Sequence, residues 1–441
     1  MLARSSRRTW RRWASGCCHI PDAVSSCSTT CATAQPVTKT KPELWEGKAP
    51  REGCREHAFE FDVARTRFGR GVLAEVGATA RNLGLKRIAL VTDPVVAAQP
   101  FFEGALKSLR EAGVEAVPFL ETKIEPTDES FLHAARWAGD VRPDGWISIG
   151  GGSCIDTAKA ANLFSTHPPP SGIDDFLHYV NAPVGRAANL PGPLKPHIAC
   201  PTTPGTGSEG TGYAICDITS LGVKTALANR GLKPTLALVD PLTIHHLPRS
   251  VVAAAGMDVV MHAAESFTAR PFSERPLGAA GAERPLNQGQ NPWSDIGCRE
   301  TLRLAGAYFA RALSDDSDLE AREAMHWAST LAGTALNNAG TALPHGCSYP
   351  VSGGVKSDPR RHYAPKHGYA NRAGGMQVAI LLSLYWSHAI PCYTMLYHAI
   401  PCYAMLWYAM PYHAMLYHAI PCYTIPYYAM PYYAMLSILC H

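Results

Sequence analysis

Between Phe59 and Asp240, short apolar runs alternate with longer alanine-rich stretches whose apolar residues recur at helical spacing. RIALVTD, AVPFLE and GWISIGGGS read as strands, and FFEGALKSLREAGV, SFLHAARWAGDV and CIDTAKAANLF as helices. Such alternation predicts βαβ units around a parallel sheet. Beyond Asp240, VVAAAGMDVVMHAAESF and EAREAMHWASTLAGTALNNAG both read as long helices.

The pattern breaks at both ends. From Ser387 the chain repeats every ten residues, as SHAIPCYTML, YHAIPCYAML, WYAMPYHAML, YHAIPCYTIP and YYAMPYYAML. Each unit is too short for a helix pair, and its prolines interrupt any helix. The stretch 387–441 has no Asp, Glu, Lys or Arg, yet Pro, Tyr and His at this density make a poor spanning helix. His388, His398, His413 and His418 with the interleaved cysteines offer soft-metal ligands, but a translated gene repeat or an unspliced intron is the simpler reading. The first 35 residues are rich in Arg and Ser and hold no acid before Asp22. That is how a mitochondrial transit peptide is built, and residues 1–40 are expected to be one; a disordered basic tail is the alternative.

Composition narrows the class. At 46% hydrophobic and 17% charged, 441 residues allow two folded domains. The net charge of +4 owes much to Arg4, Arg7, Arg8, Arg11 and Arg12, so no nucleic-acid footprint remains outside the leader. The fourteen cysteines crowd toward the two ends and form no CxxC pair between them, which favours a reduced compartment.

Three places carry chemistry. The apolar run WISI leads into Gly150, Gly151, Gly152 and Ser153, then into a helix with Asp156 and Lys159. Glycines there let the backbone approach a phosphate, and the free N–H groups of the next helix suit a pyrophosphate. This is not the GxGxxG fingerprint, and a triple glycine is also simply a tight turn. Asp93, at the end of LVTD, can accept hydrogen bonds from a ribose or cap a helix. Thr202, Thr203, Gly205, Thr206, Gly207, Ser208 and Glu209 form a small polar loop that can line a cofactor or merely face solvent. In the second half, Asp258 and His262 stand four apart on one helical face. A pair of that kind is commonly a satisfied core contact, but His345 can bring a third ligand. Three ligands with an open position suit a catalytic divalent metal. His367, and less readily His362, offers a fourth.

Taken together, GGGS with Asp156 and Lys159, PTTPGTGSE, DPLTIHHLP from Asp240 to Pro248, MDVVMHAAES and PHG resemble the iron-containing (group III) alcohol dehydrogenases. The resemblance spans roughly residues 58 to 355. FDVARTRFGRGV, ERPLNQGQNPWSD and SYPVSGGVK place it nearest a mitochondrial branch that moves hydride from hydroxyacids to oxoacids.

The resemblance implies an N-terminal α/β dinucleotide-binding domain over 58–240 and an all-α metal-binding domain over 241–386, with the active site in the cleft between them. By analogy, Gly150, Gly151, Gly152 and Ser153 hold the NAD phosphates beside Asp156, and Asp93 holds the adenine ribose. Thr202, Thr203, Thr206 and Ser208 line the remaining groove. Fe(II), or another divalent metal such as Zn(II), sits on Asp258, His262 and His345. His367 departs from the family's PHG motif because Lys366 precedes it. Beyond it the chain enters the repeat, where the family continues in helices, so the helical domain is expected to be cut short. The implied reaction oxidises 4-hydroxybutyrate to succinate semialdehyde and reduces 2-oxoglutarate to 2-hydroxyglutarate in the mitochondrial matrix. Arg270, Arg275 and Arg284 are candidate carboxylate anchors, each equally a solvated surface arginine. The expected partners are small molecules, with no nucleic acid or membrane, and a homo-oligomer is allowed. The alternatives are an NAD-dependent alcohol dehydrogenase with exchangeable cofactor, an inactive truncated product, and a metal-dependent lyase on a related scaffold, which PTTPGTGSE disfavours.

Overall fold

Eight strands and eight α-helices follow the chain in the computed structural model, which describes residues 55–278, 283–342, 344–346 and 348–349. The strands are β1 (Arg65–Phe68), β2 (Arg87–Val91), β3 (Glu115–Phe119), β4 (Gly145–Gly150), β5 (His197–Pro201), β6 (Tyr213–Ile218), β7 (Val223–Ala228) and β8 (Leu236–Val239). The helices are α1 (Val76–Asn82), α2 (Pro94–Ala97), α3 (Pro100–Glu111), α4 (Asp128–Val141), α5 (Gly152–Thr166), α6 (Arg249–Thr268), α7 (Pro292–Ser314) and α8 (Leu319–Ala339). The leader, His362, His367 and the ten-residue repeat lie outside the described residues.

Six strands form one parallel sheet in the order β1-β8-β5-β4-β2-β3. Its central strands are apolar on both faces, as a sheet covered on both sides requires. Along β2, Ile88 and Leu90 point into a core with Leu109 of α3, Ile147, Ile149 and Ile198. Ala89 and Val91 point the other way, into a core with Phe131 of α4, Trp146, and Ala158 and Phe164 of α5. Period-two alternation of side chains thus feeds two helix layers from one strand.

The sequence reading of three strands and three helices in this half is matched element by element. It does not include β1, α1, α2, β8 or the antiparallel β6–β7 hairpin, which pairs Tyr213 with Ala228 through Ile218 with Val223.

After β8 the chain is helical. α6, α7 and α8 pack around Val252, Val259, Met261, Leu304, Phe309, Met325 and Ala332. Gly256 of α6 receives the Phe309 ring of α7, and a Cβ at that glycine would overlap the ring. α6 is apolar nearly all round because α7 and α8 cover it from two sides. That burial is what makes the polar residues on α6 informative.

Candidate metal and cofactor site

β4 stops at Gly150 and α5 starts at Gly152, so the triple glycine is the whole strand-to-helix turn. On one side of β4 the sheet continues to β2 and β3, and on the other to β5 and β8. The chain order therefore reverses between β2 and β4, and Asp93 and Gly150 stand at the carboxyl ends of those strands. Open α/β sheets bind ligands at such a crevice.

The turn is tight against its neighbours. A Cβ on Gly150 would strike the Cys154 thiol. One on Gly151 would sit 3.2 Å from Thr203 Cγ2, and one on Gly152 2.8 Å from both Thr206 Cγ2 and Oγ1. Among the described residues no side chain caps α5, a fifteen-residue helix. Its first N–H groups and dipole face the turn, which is the setting an anion takes.

Asp93 caps α2: its Oδ1 accepts the Val95 and Val96 N–H groups at 2.8 and 3.0 Å. The other oxygen faces Cys154 Sγ at 3.5 Å. The cap is thus realised, with Oδ2 turned toward the glycine turn.

Asp156 and Lys159 are buried and committed to each other and to the hairpin. Lys159 Nζ donates to the Tyr213 carbonyl at 2.6 Å and to Thr211 Oγ1 at 3.3 Å, with Asp156 Oδ1 at 3.5 Å. Asp156 Oδ2 accepts the Ile215 N–H at 3.0 Å. Burial raises the Asp156 carboxyl and lowers the Lys159 ammonium from their ordinary ranges, and each partly offsets the other. The pair ties α5 to β6.

The Thr202–Glu209 loop joins the two halves of the site. Thr202 N–H donates to the Gly150 carbonyl at 3.0 Å, and Thr203 and Thr206 face the glycine turn. Thr206 Oγ1 accepts the Ser208 N–H at 3.2 Å. On its far side, a Cβ on Gly205 would lie 2.9 Å from Ala255 Cβ of α6. Gly207, at φ 61°, abuts Gly333 of α8 so closely that a Cβ there would lie 2.5 Å from the Gly333 Cα. Glu209 is buried and accepts from Thr330 Oγ1 of α8 at 3.0 Å.

Ala255 stands three residues before Asp258. The Asp258 Oδ1 atom lies 3.5 Å from His262 Nε2 and 3.5 Å from His345 Nε2. The two rings stack at 4.9 Å with 19° between their planes, and one donor atom from each of the three residues falls within 4.8 Å of the others. Separations near 3.5 Å are those of two atoms each about 2.1 Å from one shared ion. Glu265, on the same helix, accepts from His345 Nδ1 at 2.6 Å.

The charge balance suits a cation. Burial alone would raise the Asp258 carboxyl, but the two imidazoles hold it below the usual carboxylate range, so it is ionised. Burial lowers the His262 imidazole despite Asp258, keeping its lone pair available. Burial would also lower His345, but hydrogen bonds to Asp258 and Glu265 push it up to about 10. His345 therefore carries a proton on Nε2 as well, at the position a metal would take in its place. The donor set and its spacing fit a divalent metal.

The three candidate arginines are engaged elsewhere. Arg270 pairs with Glu274 at 3.2 Å, Arg275 donates to the Asn287 carbonyl, and Arg284 pairs with Glu56 at 3.1 Å. Glu265 and the Thr330–Glu209 contact are absent from the sequence reading. Glu265 follows His262 by three residues, a spacing that puts it on the same face; that was the signal available.

A parallel sheet with a glycine turn at its switch point, followed by a helical region carrying an Asp-His-His cluster, combines an anion-binding turn with a donor set that fits a divalent metal. The profile described as "Iron-containing alcohol dehydrogenase" matches residues 64–241, and "Fe-containing alcohol dehydrogenase family, C-terminal" matches residues 282–357. The chain belongs to the iron-containing alcohol dehydrogenase family and is an oxidoreductase. It is 45% identical over 322 residues to the Bos taurus "Hydroxyacid-oxoacid transhydrogenase, mitochondrial", covering 73% of this chain and 68% of that one. Against the Rattus norvegicus protein of the same name it is 43% identical over 350 residues, covering 79% and 73%. Among solved structures, a 1,3-propanediol oxidoreductase superposes with a TM-score of 0.61 at 25% identity, over 76% of this chain and 88% of that one. A sulfoacetaldehyde reductase from Bifidobacterium kashiwanohense in complex with NAD+ superposes with a TM-score of 0.58 at 25% identity, over 75% and 77%. Among the described residues no helix is long and apolar enough to cross a membrane.

Proposed function

We propose that the chain passes hydride through bound NAD from 4-hydroxybutyrate to 2-oxoglutarate, giving succinate semialdehyde and 2-hydroxyglutarate, in the mitochondrial matrix. The carrying observation is the Thr202–Glu209 loop, which touches the glycine turn on one side and α6 just before Asp258 on the other. Two binding functions joined by so short a loop suit a reaction in which a nicotinamide and a polarised oxygen must meet.

In this reading the domain over 58–240 binds the cofactor and the helical region from 241 binds the metal. Gly150, Gly151, Gly152 and Ser153 hold the pyrophosphate through backbone N–H groups, with Asp156 bracing the first turns of α5 from beneath. Asp93 Oδ2 accepts from the adenine ribose, and Thr202, Thr203, Thr206 and Ser208 line the groove toward the nicotinamide. Asp258, His262 and His345 hold one divalent metal, Fe(II) or Zn(II). When bound, the metal polarises the substrate oxygen and NAD carries the hydride. The partners are small hydroxyacids and oxoacids, and a homo-oligomer is compatible with the site.

The test uses the full chain loaded with Fe(II) or Zn(II), 4-hydroxybutyrate deuterated at its hydroxyl-bearing carbon, and 2-oxoglutarate, without added NAD beyond what copurifies. Deuterium should appear at C2 of 2-hydroxyglutarate. Turnover that requires added NAD and ignores the oxoacid would replace this reading with a dehydrogenase whose cofactor exchanges.

A further inference from the structure

Among the described residues, Glu265 is a fully buried carboxylate within reach of the Asp-His-His cluster yet outside its ligand set. It stands seven residues after Asp258 and three after His262, so one face of α6 carries all three. A buried carboxylate is costly unless its oxygens find donors, and the donors of Glu265 all come from one place. Its Oε1 accepts from the His345 Nδ1 at 2.6 Å. Its Oε2 accepts the Ala342 N–H at 2.7 Å and the His345 N–H at 3.4 Å. One side chain of α6 therefore grips both the ring and the backbone of the segment that delivers the third ligand, eighty residues further on.

We infer that Glu265 is a positioning residue of the proposed metal centre, fixing the His345 tautomer and aiming Nε2 at the point where Asp258 Oδ1 and His262 Nε2 converge. The inference rests on the metal reading given above. With Glu265 Oε1 as the acceptor of this contact, the His345 Nδ1 beside it carries the proton. A neutral imidazole has one N–H, so Nε2 is then left with the lone pair a metal needs. The hold on the two backbone N–H groups sets where that ring stands. α6 thus presents two ligands and the handle that holds the third.

Glu265→Gln separates this role from packing because it keeps the volume and changes the donor pattern. The amide has one acceptor and one NH2 where the carboxylate has two acceptors. With the amide oxygen on the backbone N–H groups, its NH2 meets Nδ1, and the His345 proton moves to Nε2 in competition with a metal. The other orientation sets NH2 against backbone N–H groups and releases the segment.

The experiment uses the full chain, stripped of metal and titrated with Co(II), comparing wild type, Glu265→Gln, His345→Ala and the double variant. Dissociation constants and the visible Co(II) absorption bands are read alongside thermal unfolding of the metal-free protein. Glu265→Gln should weaken Co(II) about 10- to 100-fold, alter the bands, and cost little further in the His345→Ala background. Glu265→Asp, which keeps the charge but shortens the reach, is the second variant should the glutamine form not fold; it should weaken Co(II) less and restore part of the wild-type spectrum. Unchanged Co(II) affinity and bands in a folded Glu265 variant, or an equal cost with and without His345, would overturn the inference while leaving the metal reading intact. A wild-type chain that takes up no divalent metal would overturn the metal reading and this inference with it.

Discussion

The amino end of α5 and the middle of α6 present their chemistry in opposite ways. At α5 the working groups are backbone N–H groups, and the side chains contribute by being absent: Gly151 and Gly152 leave the space that Thr203 and Thr206 fill. At α6 the working groups are side-chain donor atoms, Asp258 Oδ1 and His262 Nε2, on a helix whose other faces are packed. The first site should fail when atoms are added, the second when they are taken away.

The largest effect should come from deletion. Asp258→Ala and His262→Ala each remove one of three donors, and bound metal and activity should be lost together. The expected loss is about 10³-fold in kcat, matching the several kcal/mol a catalytic metal contributes. Metal analysis beside the hydride-exchange assay checks this, and a variant that keeps both would move the metal site elsewhere.

Addition should be milder and graded by clearance. Gly152→Ala places a methyl 2.8 Å from Thr206, whereas Gly151→Ala leaves 3.2 Å to Thr203. Overpacking of this kind costs about 1–3 kcal/mol, so Gly152→Ala should weaken NAD about tenfold or more and Gly151→Ala less. Adding Thr206→Ala to Gly152→Ala should recover part of the loss, measured by NAD titration. Gly333→Ala probes the far side of the loop, where its Cβ would lie 2.6 Å from the Gly207 carbonyl oxygen. There the thermal midpoint and NAD affinity should fall together.

A pH-dependent effect distinguishes the two halves through buried histidines. His197 on β5 and His326 on α8 are both depressed to about 3, in each case chiefly by burial. His197 has Ser148 Oγ at 2.8 Å, while neither ring nitrogen of His326 has a partner among the described residues. The unfolded chain protonates each near pH 6.5 and the folded chain not until about pH 3. The stability they contribute is therefore fully present above about pH 6.5 and lost as pH falls toward 3. Each adds a slope of about 1.4 kcal/mol per pH unit in that window. His326→Leu should remove one such slope from denaturant titrations run between pH 6 and 4, and an unchanged slope would show that His326 already titrates in the native state.

The same contrast governs what was legible in the residue order. The βαβ pattern could be read because each strand from β2 to β4 is a short apolar run between amphipathic stretches. β1 is four residues long, Arg-Thr-Arg-Phe at the sheet edge, and carries too little apolar signal to be read. The hairpin does alternate, with Ala214, Cys216 and Ile218 inward, but it begins just after a loop of threonines and glycines that invites a longer loop reading. Asp258, His262 and His345 are legible as a ligand set only together, since the four-residue spacing alone fits a core pair as well. Glu265 is not, because a glutamate on a helix ordinarily faces water, and the donors that hold it inside lie near position 345. Asp156 and Lys159 show the converse. Their spacing and their place after the glycine turn suit a phosphate site, yet the hairpin occupies both. Three-residue spacing on a helix says that two side chains share a face; only tertiary packing says what that face meets.

Gly139 gives the smallest effect, and its sign sharpens the rest. It lies in α4, where an added Cβ meets nothing within 4 Å. Alanine there should stabilise the protein by about 0.5–1 kcal/mol, because glycine in a helix interior gives up more backbone freedom on folding. The same substitution at Gly333, also within a helix, meets the Gly207 backbone and should destabilise. Both substitutions change helix propensity alike, so the difference between their unfolding free energies isolates the contact between α8 and the Thr202–Glu209 loop. If Gly333→Ala stabilised as Gly139→Ala does, that loop would not be clamped against α8, and the coupling between the glycine turn and the metal helix would have to run through the contacts of Gly205 with Ala255 and His262 of α6.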